Sequence, residues 1–528
     1  MIIMVKFLNS RISLLLISIF IFSVFSGCNR EIDKSDQPAD KPALLIGWSS
    51  TDITPDQPVD LRGQFPARIS EGVLDPVTAT VLVVESPESE SAVLISCDMV
   101  SVEKEMIEGV REKLKNSLPG LDTEKIIMGA THTHTAPLCG NENDTKSKYG
   151  IALDVMAPSA YLEFMTGKIA TAVEEAWNNR KPGGVSFGLE HAVAGHNRLQ
   201  VDFSGKSVMY GNTDRKEFSH IEGYEDHTVN LLYTWDINGK LTGTVINIAC
   251  PSQATESLYK ISADFWHDTR LELHKRLGDG LFILPQCSAA GDQSPHLMVG
   301  GAAEYRMQKL MGVDSLETGR SKMGRRHQIA IRLADAVTSV LPYMKDNIDW
   351  NPVINYQREI VDLSRRLISQ EDVNKAVLQS EEWEEKYNQL LREIEENPEI
   401  KNKSRWYTNI TNTYRRFARG KSVKERYELE KKQPKMPVEI NVLRIGDIVM
   451  ATNPFELYLD YGMRMKARSP AIQTFLIQLS NGSCGYLPSY RSTLGGSYGA
   501  EPASTLIGPE GGQELVEKTL EMINRTME

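Results

Sequence analysis

The chain has 528 residues, six of them cysteine, and a formal net charge of −11 at pH 7. So acidic a protein lacks the basic face that a phosphate backbone requires, which argues against nucleic acid as a partner. Its length supports one large domain, or two smaller ones, with ample core.

Lys6 and Arg11 precede or open an apolar run from Ser13 to Phe25, and Phe25-Ser26-Gly27-Cys28 follows. A charged start, a short apolar core and small residues at a cleavage site describe a secretory signal peptide over 1–27. A cysteine directly after Ser-Gly is the bacterial lipoprotein version, in which Cys28 is lipidated and becomes the new N-terminus. The run is short for a transmembrane span, which needs about 20 apolar residues. Residues 28–43 are polar, carry Pro38 and Pro42, and read as a lipidated tether. Cleavage removes Lys6 and Arg11 and takes the charge from −11 to −13. These features place the protein in the bacterial cell envelope, lipid-anchored and facing the periplasm or outer membrane. Apart from Cys28 the cysteines are Cys97, Cys139, Cys250, Cys287 and Cys484. An odd, irregularly spaced set is not a disulfide framework, even in an oxidising compartment.

From Leu44 to about Pro342, short apolar strands alternate with amphipathic helices. Strands are expected over Thr78–Val84, Ala92–Ser96, Lys125–Met128, Val245–Ile248 and Leu281–Leu284. Helices are expected over Val102–Asn116, Tyr161–Asn178 and His327–Val340. Such alternation predicts an α/β fold with mixed sheets covered by helices. Between about Ser364 and Lys435 the composition changes to charged, helix-forming segments, Ser380–Arg392 and Trp406–Arg419, separated by Asn397-Pro398. This reads as a helical hairpin inserted in the domain, and a solvated hairpin without a role at the site is preferred over a lid. The remainder returns to strands over Val438–Arg444 and Ile448–Ala451, a helix over Leu457–Arg468 and a strand over Thr474–Leu479. A loop rich in Gly and Tyr from Asn481 to Tyr498 and a final helix over Gln513–Met527 complete the chain, and the domain is read as 44–528.

Five segments carry candidate chemistry. Gly129-Ala-Thr-His-Thr-His-Thr-Ala-Pro137 follows an apolar strand, the place where α/β proteins hold their sites. In an extended chain residues i and i+2 face the same way, so His132 and His134 would share a target. Paired imidazoles suit zinc, which takes nitrogen and sulfur donors. Ile248-Ala-Cys-Pro-Ser-Gln253 leads to Ser262-Ala-Asp-Phe-Trp266. Ser288-Ala-Ala-Gly-Asp-Gln-Ser-Pro295 is a turn whose small residues admit a ligand close to backbone, with Asp292 and Ser294 projecting. Asn453-Pro-Phe-Glu456 puts a carboxylate at the start of a helix, where the helix dipole alone would also favour one. The last segment is the loop holding Tyr486, Tyr490 and Tyr498.

In order and context these segments resemble the neutral, non-lysosomal ceramidases. The resemblance starts at Gly47-Trp-Ser-Ser-Thr-Asp-Ile-Thr-Pro55 and continues through Ala130–His134, Asn197-Arg198, Gly291–Pro295, Pro454-Phe-Glu456 and the tyrosine loop. It runs from about Leu45 to Asn524, with Ala-Thr-His-Thr-His its most specific part. It implies a zinc-dependent hydrolase that cleaves the amide of an N-acylated substrate such as ceramide. By this resemblance His132, Glu456 and Tyr486 are metal ligands, and His134 binds substrate or supports the ligands. Arg198 and Tyr498 then contact the substrate carbonyl, and Ser294 lies near the water. The sequence departs from the family where Cys250 stands in place of a second ligating histidine. A thiolate can ligate zinc; equally, the site can be rebuilt around His267 or Asp264. The chain is also expected to lack the family's C-terminal β-sandwich, and the helical insert has no counterpart in it. Two alternatives stay open: the same scaffold turned to glycans or other polar substrates, and a binding lipoprotein without catalysis.

Overall fold

The computed structural model describes residues 44–86, 90–311 and 323–528; the expected signal peptide, Cys28 and tether lie outside them. Alternating apolar side chains build two sheets stacked face to face. In the first sheet β1 (Leu45–Asp52), β2 (Thr78–Glu85), β3 (Ser91–Cys97) and β4 (Ile126–Ala130) form one half. The strands β5 (Lys181–His191), β6 (Thr228–Asp236), β7 (Leu241–Ile248) and β8 (Phe282–Cys287) form the other. Their order is β8-β7-β6-β5-β1-β2-β3-β4, antiparallel except for the parallel pairs β3/β4 and β7/β8. The second sheet has the order β9 (Ile354–Ser364), β10 (Lys435–Ile445), β11 (Ile448–Thr452), β12 (Gln473–Ile477), with β11/β12 parallel.

Residue parity decides which layer each side chain serves. Along β2, Ala79, Val81 and Val83 pack outward with helices α1 (Lys104–Ser117) and α2 (Pro158–Asn178). Leu82 and Val84 point the other way, into a cluster shared with Ile448, Met450, Phe475 and Ile477 of the second sheet. Val449 and Ala451 face outward again, against the final helix α8 (Pro509–Met527) and the helix α7 (Leu459–Arg468). Both faces of each sheet are thus covered, which is why these strands read as continuous apolar runs. A third cluster joins β6 and β7 to α3 (Phe265–Leu277) and α4 (Met323–Lys345). The fold is therefore α/β with mixed sheets between helical layers, as expected. Among the described residues no helix is long and apolar enough to cross a membrane.

The expected hairpin is present as α5 (Gln370–Glu396) and α6 (Tyr407–Lys432). It rises from the ends of β9 and β10, which pair antiparallel with Ser364 opposite Lys435. A Cβ on Gly420 would lie 2.8 Å from the Ala376 carbonyl oxygen, so only glycine lets the two helices come this close.

A half-buried ionic knot joins the layers near β10. Glu439 accepts from Arg111 of α1, Arg358 of β9 and Asn481 beyond β12. Burial alone would raise its pKa, but these partners outweigh burial and hold it at about 2, against 4.5 for an ordinary glutamate. A folded-state pKa below the unfolded one contributes stability that is complete above pH 4.5 and lost as pH falls towards 2. Glu439→Gln is expected to remove about 2 kcal/mol at pH 7, solvent screening having reduced the full value. The deficit should shrink in urea titrations run at successively lower pH through that window.

Candidate active site

Five strands end on one side of the stacked sheets, and their C-terminal loops carry all the candidate segments, in keeping with the rule for α/β sheets. Thr131–His134 leaves β4, Ala249–Gln253 leaves β7, Ser288–Ser294 leaves β8, Asn453–Glu456 leaves β11 and Gln478–Asn481 leaves β12. Backbone bonds stitch the loops together: Ser252 N to Thr131 O, Gly291 N to Leu457 O, Gln478 N to Cys287 O and Asn481 N to Met128 O. A Cβ on Gly291 would sit 2.3 Å from the Glu456 carbonyl oxygen, so glycine is required for the β8 and β11 loops to meet.

His132 departs from the extended chain assumed above. Its φ is 63°, in the left-handed region where a histidine is held at a cost in strain. The two imidazoles still converge, ring centroids 4.8 Å apart at 73°. His132 Nδ1 lies 2.6 Å from Val100 O, so it carries the proton and donates it there. Nε2 faces Glu456 Oε2 at 3.5 Å and His134 Nε2 at 3.3 Å. Gln253 settles the second ring. Its Oε1 accepts from Arg198 Nη1 at 3.4 Å, so its amide nitrogen donates to His134 Nε2 at 2.7 Å. Burial, followed by positive neighbours beginning with His132, pushes the His134 pKa well below the usual range and keeps the ring neutral. Two imidazole nitrogens and a carboxylate oxygen thus face one another at the strand ends.

Arg198 and Tyr486 complete the cluster. Arg198 Nη2 donates to Gly291 O at 2.8 Å and to Tyr486 Oη at 3.3 Å, and Nη1 donates to Tyr210 Oη at 3.1 Å. Tyr486 also faces Glu456; burial and that carboxylate raise its pKa well above 10. Burial would raise the Glu456 pKa, but His132, Arg198 and Tyr486 outweigh it and hold the group below the usual range, ionised. Tyr210 Oη donates to Ser294 Oγ at 3.2 Å, which links the Ser294 turn to Arg198. Asp292 turns away to anchor the loops: it accepts from Leu459 N and Asn197 Nδ2, and burial pushes its pKa up to about 6.

The structure thus gathers His132, His134, Arg198, Glu456 and Tyr486, with Ser294 behind Tyr210 and Tyr498 beside Tyr486 at 5.9 Å between ring centroids. Cys250 is the exception. Its side chain packs in the apolar cluster with Ala192, Ile248 and Phe265. Burial and the neighbouring Cys287 push its thiol pKa well above 9. The proposed replacements are placed elsewhere too. Asp264 caps α3 and accepts from Ala254 N, Thr255 N, Thr255 Oγ1 and Phe265 N. His267 lies in the first turn of α3, among Asp75, Asp268 and Arg326. From the loop that carries Cys250, it is Gln253 that reaches His134.

Sequence reasoning passed over Gln253, Tyr210, Glu256 and His296. Glu256 Oε2 lies 3.6 Å from His134 Nδ1 and its Oε1 lies 3.3 Å from His296 Nε2. His296 Nδ1 in turn accepts from Arg325, which is paired with Glu304. The only signal for His296 was its place just after Ser294-Pro295. The hairpin is also closer to the site than expected: the Arg419 guanidinium of α6 lies 4.6 Å from the Tyr498 ring centroid.

Fold and site together define a two-sheet α/β protein with a half-buried imidazole, carboxylate and phenol cluster at the strand ends. No protein-family model and no curated protein matches the chain. Among solved structures, the neutral ceramidase from Pseudomonas aeruginosa aligns over 92% of this chain and 75% of its own, with TM-score 0.64 and 16% identity. A ceramidase complexed with C2 aligns over the same shares with TM-score 0.63 and 15% identity. The chain has a neutral ceramidase-like fold.

Proposed function

We propose that this protein is a zinc-dependent hydrolase that cleaves the amide bond of an N-acylated substrate. The observation carrying this reading is that His132 Nε2 and the Tyr486 phenol both face the ionised Glu456 carboxylate. A cation bound there would be held by the Glu456 charge. Among the described residues no group of three or more His, Cys, Asp and Glu side chains is placed to hold a metal ion. The donor set that fits zinc is therefore mixed: His132, Glu456 and the Tyr486 phenol, leaving a position open. The Val100 carbonyl fixes the His132 tautomer as a supporting group should. Bound zinc would acidify water and polarise a carbonyl.

The chain's own groups supply the rest. Arg198, held from four sides, presents fixed positive charge where an amide oxygen gains negative charge. Neutral His134 can accept a proton at Nε2 in place of the Gln253 hydrogen bond and pass it to the leaving amine, with Glu256 at its Nδ1 stabilising the charged ring. Tyr498 stands beside Tyr486, where it could contact the substrate carbonyl.

Elemental analysis of the purified protein, beside acyl release from a short-chain ceramide, tests the reading. About one zinc per chain is expected, with activity abolished by chelation and restored by zinc. Cys250→Ala should keep its zinc. Absence of both zinc and acyl release after metal is added back would leave a binding protein. For the N-terminus we propose lipidation at Cys28: the full chain is expected to enter the detergent phase on phase partitioning, and Cys28→Ser to stay aqueous.

A further inference from the structure

A cavity of about 410 Å³ lies between the helical hairpin and the tyrosine loop, and Tyr498 is part of its wall. Its other walls include Phe65, Lys375, Gln379, Trp383, Arg416 and Arg419. Tyr498 therefore joins this cavity to the cluster around Tyr486 and Glu456. Two guanidinium groups are held there on aromatic rings. Arg419 sits over Tyr498 and is paired with Glu501 at 2.7 Å. Arg416 lies 5.0 Å from the Trp383 ring centroid and 5.6 Å from that of Phe65. Unlike Arg419, Arg416 has no carboxylate partner among the described residues, and the same is true of Lys375.

We propose that this cavity is a substrate subsite for an anionic, hydroxyl-rich group, such as a sugar bearing a carboxylate or sulfate, attached to the bond that is cleaved. The proposal rests on the hydrolase reading above and names the substrate class. In a chain of net charge −11, a wall with Lys375 and Arg416 unpaired is a local excess of positive charge. An alkyl chain lying there would strip water from Arg416, Lys375 and Gln379 and return no hydrogen bond. An anion returns charge-assisted bonds, and a guanidinium braced by aromatic rings loses little freedom in making them. Hydroxyl groups find partners in Gln379, Asp372 and Glu501.

Calorimetric titration of the full chain with D-glucuronate, glucose 6-sulfate, glucose and 1-hexanol tests this without any turnover. At least one of the two anionic sugars should bind about tenfold more tightly than glucose, and which one does so tells carboxylate from sulfate. Arg416→Gln and, separately, Lys375→Gln should erase most of that preference with circular dichroism unchanged. Glu456→Gln should leave it intact, so a failed catalytic reading and a failed subsite give different results. Tighter binding of hexanol than of any sugar, no binding of either anionic sugar, or an anionic preference unaltered in both variants would overturn the proposal.

Discussion

Glu456→Gln should leave the protein folded, empty of zinc and slower by about 10³-fold on an N-acyl amide. The carboxylate is largely shielded and ionised, 3.5 Å from His132 Nε2 and in contact with Tyr486. A neutral amide of the same shape keeps the packing and removes the one full negative charge that His132, Tyr486 and Arg198 surround. A metal site that loses its only anionic ligand loses most of its affinity, because the remaining donors are a neutral imidazole and a reluctant phenol. Zinc stoichiometry and kcat should fall together, while thermal unfolding shifts little. Undiminished turnover with zinc still bound would show that Glu456 is not a ligand.

The largest loss of stability is expected from Arg326→Met. Arg326 is 2% exposed and bonds Asp75 and Asp268, each at 2.7 Å, and Ser262 Oγ at 3.0 Å. It thereby fixes the Ser262–Asp264 turn that supports the loop carrying Gln253. Methionine fills the space but leaves the Asp75 carboxylate buried with only the Ser262 hydroxyl and Ala263 N–H as partners. Stranding a buried charge costs about 3–5 kcal/mol. A double variant with Asp75→Asn should recover at least half of that, since the unpaired charge is gone. Denaturant titration of the two single variants and the double one measures the coupling. Additive losses would mean that the pair does not act as a unit.

How much could be read from the sequence differs from residue to residue. The strands β2, β3, β4, β7 and β8 were legible because burial on both faces makes each a short continuous apolar run. β9 was missed, since Arg358, Glu359 and Asp362 interrupt its pattern; its outer positions face solvent and charged partners. The hairpin's limits at Ser364 and Lys435 were legible from charge alone, but its position was not. Nothing in a charged helix records which way it leans, and it takes Arg419 over Tyr498 to place it beside the site.

Local chemistry also misled in two places. The period-2 argument for His132 and His134 presumed an extended backbone, and the positive φ at His132 breaks that premise while the rings meet by another route. Cys250 drew attention as a metal-ligating type of residue, but an adjacent side chain on a turn can face the opposite way. It turns into the apolar layer, and Gln253, an unremarkable amide in the sequence, orients His134 instead.

The sequence by itself determined the α/β class, the charged insert and the residue types of the site, because hydrophobic period, composition and motif are local properties of the chain. The tertiary structure alone decided which of those residues meet. His132, Gln253 and Glu456 leave the ends of β4, β7 and β11, far apart in the chain, and backbone bonds between their loops gather them at one edge, where Tyr486 pairs beside Glu456 and Arg198 binds Gly291 O. The hydrogen bonds that orient the two histidines follow from the same assembly, since a carbonyl from one loop and an amide from another make them.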